Sequence, residues 1–113
     1  MKPRAHILVV DDEINIRGAL VTMLEKKGHQ VRGVATAEEG LEQLEAAPAE
    51  LVITDLRMPG IGGMEFLRRL KETWPDTEVV VMTAYGSIDT AVEAMRCGAY
   101  DYLTKPIDRE RFP

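Results

Sequence analysis

LVITDLRMPGIGGMEFL, residues 51–67, is the stretch on which the fold turns. Leu51–Thr54 is a short apolar, β-branched run, the pattern of a strand covered on both faces. Asp55 follows at once. Met58-Pro-Gly-Ile-Gly-Gly63 is a loop, because four of its six residues are Pro or Gly. Phe66, Leu67, Leu70 and Trp74 then return to one helical face until Pro75 ends the helix. The unit is strand, acid, loop, helix.

The same unit repeats on both sides. Ile7–Val10 reads as a buried strand followed by Asp11 and Asp12. Ile16, Leu20, Met23 and Leu24 make the next helix face, and Gly28 suits the position just past its end. Gln30–Val34 is a weaker strand. Thr36-Ala-Glu-Glu39 reads as a capping box, with Ala37, Leu41 and Leu44 on the buried side of the helix it opens. Downstream, Val79–Met82 is a strand that ends on Thr83. Ile88, Ala91, Val92 and Met95 predict a fourth helix with those residues inward, closed by Gly98. Tyr102–Thr104 is a short strand that runs into Lys105 and Pro106. Strict alternation of strand and helix, with no Asn-Gly or Asp-Gly hairpin signal, predicts a parallel α/β sheet with right-handed crossovers. In such open sheets the chemistry sits at the carboxyl ends of the strands.

Bulk properties exclude several classes. At 113 residues there is room for one domain. Fourteen basic against nineteen acidic residues leave a net charge of −5, which speaks against a nucleic-acid or anionic-membrane surface in this segment. The single cysteine, Cys97, cannot form an internal disulfide, which fits a reducing cytoplasm. No apolar stretch reaches the ~18 residues that span a bilayer.

Asp11, Asp12, Asp55, Thr83 and Lys105 all fall at strand ends and are expected to meet at one rim of the sheet. Each alone has an ordinary reading: the first two as helix N-caps, Asp55 as a turn residue, Thr83 as a strand end, Lys105 as a solvated lysine. Together they describe a site. Carboxylates about 4 Å apart repel by about 4 kcal/mol at an effective dielectric of 20, so the cluster needs a proton or a cation. Oxygen ligands with room for water suit Mg²⁺. A carboxylate beside such an ion can attack a phosphoryl group and form an acyl phosphate, a reaction that needs mainly alignment and charge neutralisation. Lys105 and Thr83 would supply a charge and a hydrogen bond. Cys97, Trp74 and most methionines read as packing. His6 and His29 have no partners at ligand spacing, and Glu42, Glu45 and Glu50 read as solvated surface.

With these residues in place the sequence resembles the response-regulator receiver family of two-component systems. The match rests on ILVVDDE at 7–13, LVITDLRMPGIGGMEFL at 51–67, VVMTAYG at 80–86 and AYDYLTKP at 99–106. The resemblance implies a flavodoxin-like doubly wound sheet of five parallel strands in the order 2-1-3-4-5, in one receiver domain over 1–113. It implies that Asp55 is the phosphoacceptor. Asp11, Asp12, Asp55 and the backbone carbonyl of Arg57 would hold Mg²⁺. Thr83 would be the switch hydroxyl, Lys105 the phosphoryl contact and Tyr102 the aromatic that swings inward. The Lys105–Pro106 bond would be cis, and Arg57 and Tyr85 would tune dephosphorylation. The implied partners are a sensor histidine kinase and an effector domain, with transcription as the output. DLRMPG with MTAYGSIDTAVEAMRCGAYDYLTKP is similar to receivers of sigma-54-dependent activators.

One departure stands out. The family carries a further helix after the KP segment, and only Ile107–Pro113 remain, about two turns at most. A truncated last helix predicts that the sheet face beside the first helix is partly uncovered and that the chain forms a homodimer or swaps segments to cover it. Two rival functions fit the sequence less well. A Mg²⁺-dependent phosphohydrolase using an aspartyl phosphate resembles this set of groups, but needs an acid two residues past the nucleophile, where Arg57 stands. A flavin or nucleotide binder needs a phosphate-cradling loop after the first strand, where Asp11-Asp12-Glu13 would repel phosphate. The chain therefore reads as a switch rather than an enzyme.

Overall fold

Successive side chains of a strand face opposite sides of a sheet, and this alternation divides the core in two. The computed structural model describes residues 5–57, 60–83 and 88–104. Within them run β1 (His6–Val10), α1 (Ile14–Lys26), β2 (Gln30–Val34), α2 (Ala37–Ala46), β3 (Leu51–Thr54), α3 (Gly62–Thr73), β4 (Glu78–Thr83), α4 (Ile88–Arg96) and β5 (Asp101–Thr104). All strand pairs are parallel, in the order β2-β1-β3-β4-β5. Leu8, Val10, Val52, Val79 and Val81 face one layer, where they pack with Leu44 of α2, Phe66, Leu67 and Leu70 of α3, and Ala94 of α4. Ile7, Val9, Ile53, Val80, Met82 and Leu103 face the other, with Leu20 and Leu24 of α1. The expected α/β sheet and strand order are those observed.

Local signals act where the sequence puts them. Gly28 takes a φ of 95°, which L side chains rarely adopt. Its N–H reaches the Glu25 carbonyl at 3.0 Å and the His29 N–H reaches Leu24 at 3.3 Å, closing α1. At the start of α2 the Thr36 side chain accepts the Glu39 N–H at 3.1 Å. Glu39 reaches back to the Ala35 N–H, also at 3.1 Å, one residue earlier than the usual reciprocal bond. The other end of α2 is tied from the edge strand. Arg32 of β2 donates to the Gln43 carbonyl at 3.1 Å, to the Gln43 Oε1 at 3.0 Å and to the Ala47 carbonyl at 2.7 Å. The Ala47 carbonyl, left over at the helix end, thus gains a charged donor, and the Gln43 carbonyl, which already takes the Ala47 N–H, gains a second one. Arg32→Ala is expected to cost about 1–2 kcal/mol, read as a lower urea midpoint at unchanged slope. An unchanged midpoint would mean that water replaces the guanidinium at no cost.

Two expectations are corrected. Ile88, Val92 and Met95 do not face the core: they are 83%, 46% and 48% exposed. The helix instead presents Ala94 to the sheet, with Thr90, Ala91 and Cys97 half-buried on the same side. Helix α4 is apolar on two faces. Hydrophobic spacing registers both, and the smaller side chains let the helix sit closer to β4 and β5. The sheet face beside α1 is not uncovered either. Val80, Met82 and Leu103 there are 8%, 1% and 6% exposed, gathered with Leu20, Leu24 and Ile53 into one cluster. The segment after Thr104, on which the expectation of a truncated last helix rests, lies outside the described residues. Among the described residues no helix is long and apolar enough to cross a membrane.

Other expectations on ordinary residues hold. Trp74 packs against the α2–α3–α4 cluster and Cys97 is half-buried beside it. His29 is structural: its Nδ1 accepts the Ala5 N–H at 3.2 Å. Glu50, read as solvated, also accepts the His6 N–H at 2.8 Å, which pins the start of β1.

Candidate functional site

The sheet register assembles the site. Val10 of β1 pairs with Thr54 of β3. The next residue of each strand is an aspartate, so Asp11 and Asp55 leave neighbouring strands at one level, about 4.8 Å apart in backbone terms. The ladder holds to that point: the Asp55 N–H reaches the Val10 carbonyl at 3.3 Å and the Asp11 N–H reaches Val34 at 3.1 Å. On the far side of β3, Thr54 pairs with Val81, and β4 continues two residues to Thr83. Thr83 pairs with Thr104, the last described residue of β5. Asp11, Asp55 and Thr83 are 2%, 3% and 0% exposed, so the rim of a parallel sheet holds two carboxylates and a hydroxyl out of bulk water.

Both acids are set by the same turn. Asp11 Oδ1 accepts the Glu13 N–H at 2.9 Å, and Asp55 Oδ1 accepts the Arg57 N–H at 3.0 Å. Each bond runs from residue i to i+2, the side-chain mimic of a backbone turn that aspartate favours. It bends the chain away from the sheet while the carboxylate stays at the strand end. Asp11 is therefore not a helix cap. The N-cap of α1 is Glu13, which has no side-chain cap bond. Arg17, one turn into α1, donates to the Asp11 carbonyl at 2.8 Å and fastens the β1–α1 turn from above. Behind Asp55, the first turn of α3 approaches so closely that a Cβ on Gly63 would overlap the Asp55 carbonyl oxygen and Leu56 Cα.

Of the residues expected from sequence, the structure brings Asp11, Asp55 and Thr83 together. Asp12 is exposed on the same rim, and Arg57 is exposed at the start of the β3–α3 loop. Tyr102 is half-buried against the α4 side of the core, and its hydroxyl lies 2.8 Å from that of Thr90 on α4. Lys105, Pro106 and Tyr85 lie outside the described residues. Sequence reasoning missed Arg17, Glu38, Gly63 and Thr90. The glycine was visible only as one of several in a loop. The other three act through contacts between elements, for which the chain carries no local signal.

Chemically, the rim calls for positive charge. Two carboxylates a strand spacing apart repel by about 3 kcal/mol at an effective dielectric of 20. Among the described residues no three acidic, histidine or cysteine side chains stand together as a ready metal cage. The rim offers instead two buried carboxylates, Asp11 and Asp55, with Asp12 exposed beside them. Such a set suits a small hard ion that keeps part of its water shell, and fits a Ca²⁺ or Zn²⁺ cage poorly.

Comparison with known proteins agrees with the architecture. The family described as the response regulator receiver domain matches residues 7–113. The chain is 43% identical over 104 residues to the response regulator protein FleR of Pseudomonas aeruginosa, covering 92% of this chain and 22% of that protein. It is 39% identical over 108 residues to PilR of the same organism, covering 96% and 24%. The chain thus spans about a quarter of the length of these relatives. Among solved structures, the beryllofluoride-activated NtrC4 receiver domain dimer superposes with a TM-score of 0.90 at 38% identity, covering 95% of this chain and 88% of that one.

Proposed function

This chain belongs to the response regulator receiver domain family, and from that membership we propose that it is a switch set by a phosphoryl group on Asp55. The observation that carries the reading is the pairing of buried Asp11 and Asp55 on adjacent strand ends, with buried Thr83 at the end of the next strand. A sensor histidine kinase is the donor. An Asp55 carboxylate oxygen attacks phosphorus, the bond from phosphorus to the donor breaks, and the donor leaves with its electron pair. Asp11, Asp12, Asp55 and the Arg57 carbonyl are the residues that would hold Mg²⁺. When bound, the ion supplies charge neutralisation and alignment for the transfer. The protein contributes the rest: a carboxylate held by the Arg57 N–H, water kept from the rim, and Lys105 as a further charge on the phosphoryl oxygens.

The readout follows from the same geometry. An added dianion attracts the Thr83 hydroxyl. As Thr83 turns, Tyr102 gives up its bond to Thr90 and fills the vacated space, which repacks the α4–β5 face as a population shift between two arrangements. That face carries the exposed Ile88, Val92 and Met95, an apolar stripe suited to a second copy or to an effector domain in a longer, cytoplasmic regulator. The relatives are response regulators, and we place this chain with the sigma-54-dependent activators among such proteins. Arg57 and Tyr85 sit where the family tunes the phosphoryl lifetime, and Pro106 where it aims the lysine.

Incubation with acetyl phosphate and Mg²⁺ followed by intact mass tests the reading. One phosphoryl group should be gained, and chelation of the metal should abolish the gain. Undiminished uptake with chelator present would rule out the metal-assisted step, and no uptake under any condition would remove the switch.

A further inference from the structure

The β3–α3 loop leaves Asp55, passes Arg57 and returns at Gly60, and a side chain from a different layer element meets it there. Glu38, in the first turn of α2, accepts the Ile61 N–H through Oε2 at 3.2 Å. The fit is close. Gly60 takes a φ of 84°, and a Cβ on it would overlap the Glu38 carboxylate. Beyond it Gly62, at a φ of 80°, opens α3, and the Gly63 N–H reaches the Leu56 carbonyl at 3.1 Å. The same two helices are drawn together at Gly40, where Phe66 fills the space a Cβ would need. The loop is therefore held at both ends: at Asp55 by the turn to Arg57 and by Gly63 against its backbone, and at Gly60–Ile61 by Glu38.

We propose that Glu38 is a positioning residue for the phosphorylation site: by holding Ile61 from α2, it keeps the β3–α3 loop in the conformation that presents the Arg57 carbonyl to the divalent ion. This rests on the proposed function, because the ion and its loop ligand belong to that reading. The physical basis is that a ligand binds in proportion to the population of the competent loop. An acceptor oxygen on the Ile61 N–H biases that population towards the competent loop by about the net worth of one hydrogen bond. Glu38 is exposed and touches none of the reacting atoms, so its effect passes entirely through the loop.

Two variants and two readouts test it. Mg²⁺ affinity is measured by calorimetry, and amide hydrogen exchange is measured on the metal-free protein. Glu38→Ala should weaken Mg²⁺ about five-fold and speed exchange at Ile61, leaving the strand amides of β3 and β4 unchanged. Glu38→Gln, which keeps an acceptor oxygen but not the charge, should stay within about two-fold of wild type. Equal Mg²⁺ affinity in Glu38→Ala and wild type overturns the proposal. So does a Gln variant as weak as the Ala variant, since the charge and not the bond would then be acting. A wild-type protein that binds no Mg²⁺ fails the proposed function and this inference together, whereas wild-type binding with an unaffected Ala variant fails the inference alone.

Discussion

Asp55→Asn takes up no phosphoryl group from acetyl phosphate and Mg²⁺, while wild type gains one. The loss is expected to be complete within detection, a larger effect than any stability change considered above. Asparagine has the shape of aspartate and keeps an oxygen that can accept the Arg57 N–H, the bond that sets Asp55 at 3.0 Å. The fold should therefore survive. What disappears is the carboxylate, since an amide oxygen shares its electrons with nitrogen and is a poor nucleophile towards phosphorus. The variant also removes one of two negative charges that neighbouring strand ends bring together, which costs about 3 kcal/mol at an effective dielectric of 20. A phosphorylated Asp55→Asn chain, or a phosphoryl group mapped to another residue of wild type, would move the site elsewhere.

Gly63→Ala should be the most damaging single-methyl change in the described part of the chain. Gly63 is buried in the first turn of α3, and a methyl there meets backbone, the Asp55 carbonyl oxygen and Leu56 Cα, with no flexible side chain to give way. Forcing the helix off β3 should cost about 3 kcal/mol, or a melting temperature lower by about 10 °C for a domain of this size. The shift also reaches the peptide that carries the proposed phosphoacceptor, so surviving folded protein should take up phosphoryl more slowly. Gly18→Ala is the matched control. Nothing lies within 4 Å of a Cβ there, on the exposed side of α1, so alanine should raise stability by about 0.5–1 kcal/mol through better helix propensity. If both substitutions proved neutral, close packing of α3 on the Asp55 backbone would not be what Gly63 is for.

The sheet was legible because its information is local. Four-residue apolar runs such as Ile7–Val10 and Leu51–Thr54, each followed by an aspartate, set strand type and strand ends, and the ends of parallel strands meet at one rim whatever packs around them. Gly28 and the Thr36–Glu39 box were readable for the same reason, since a helix end depends on a few adjacent residues. Convergence of Asp11, Asp55 and Thr83 followed from that order alone.

Other features have no local signature. Two apolar faces of α4 look alike in the chain, and their contact with the sheet was settled by how near Ala94 lets the helix come. Asp11 and Asp12 are one residue apart in an identical context, yet the turn to Glu13 buries the first and leaves the second in solvent. Arg32 on Gln43 and Ala47, Thr90 on Tyr102, and Glu38 on Ile61 join residues from different elements. Periodicity carries strand, helix and their ends because those are properties of neighbouring residues. It is silent on which of two similar side chains is buried, and on which polar group reaches across a layer, because both depend on the distance between elements that are remote in the chain.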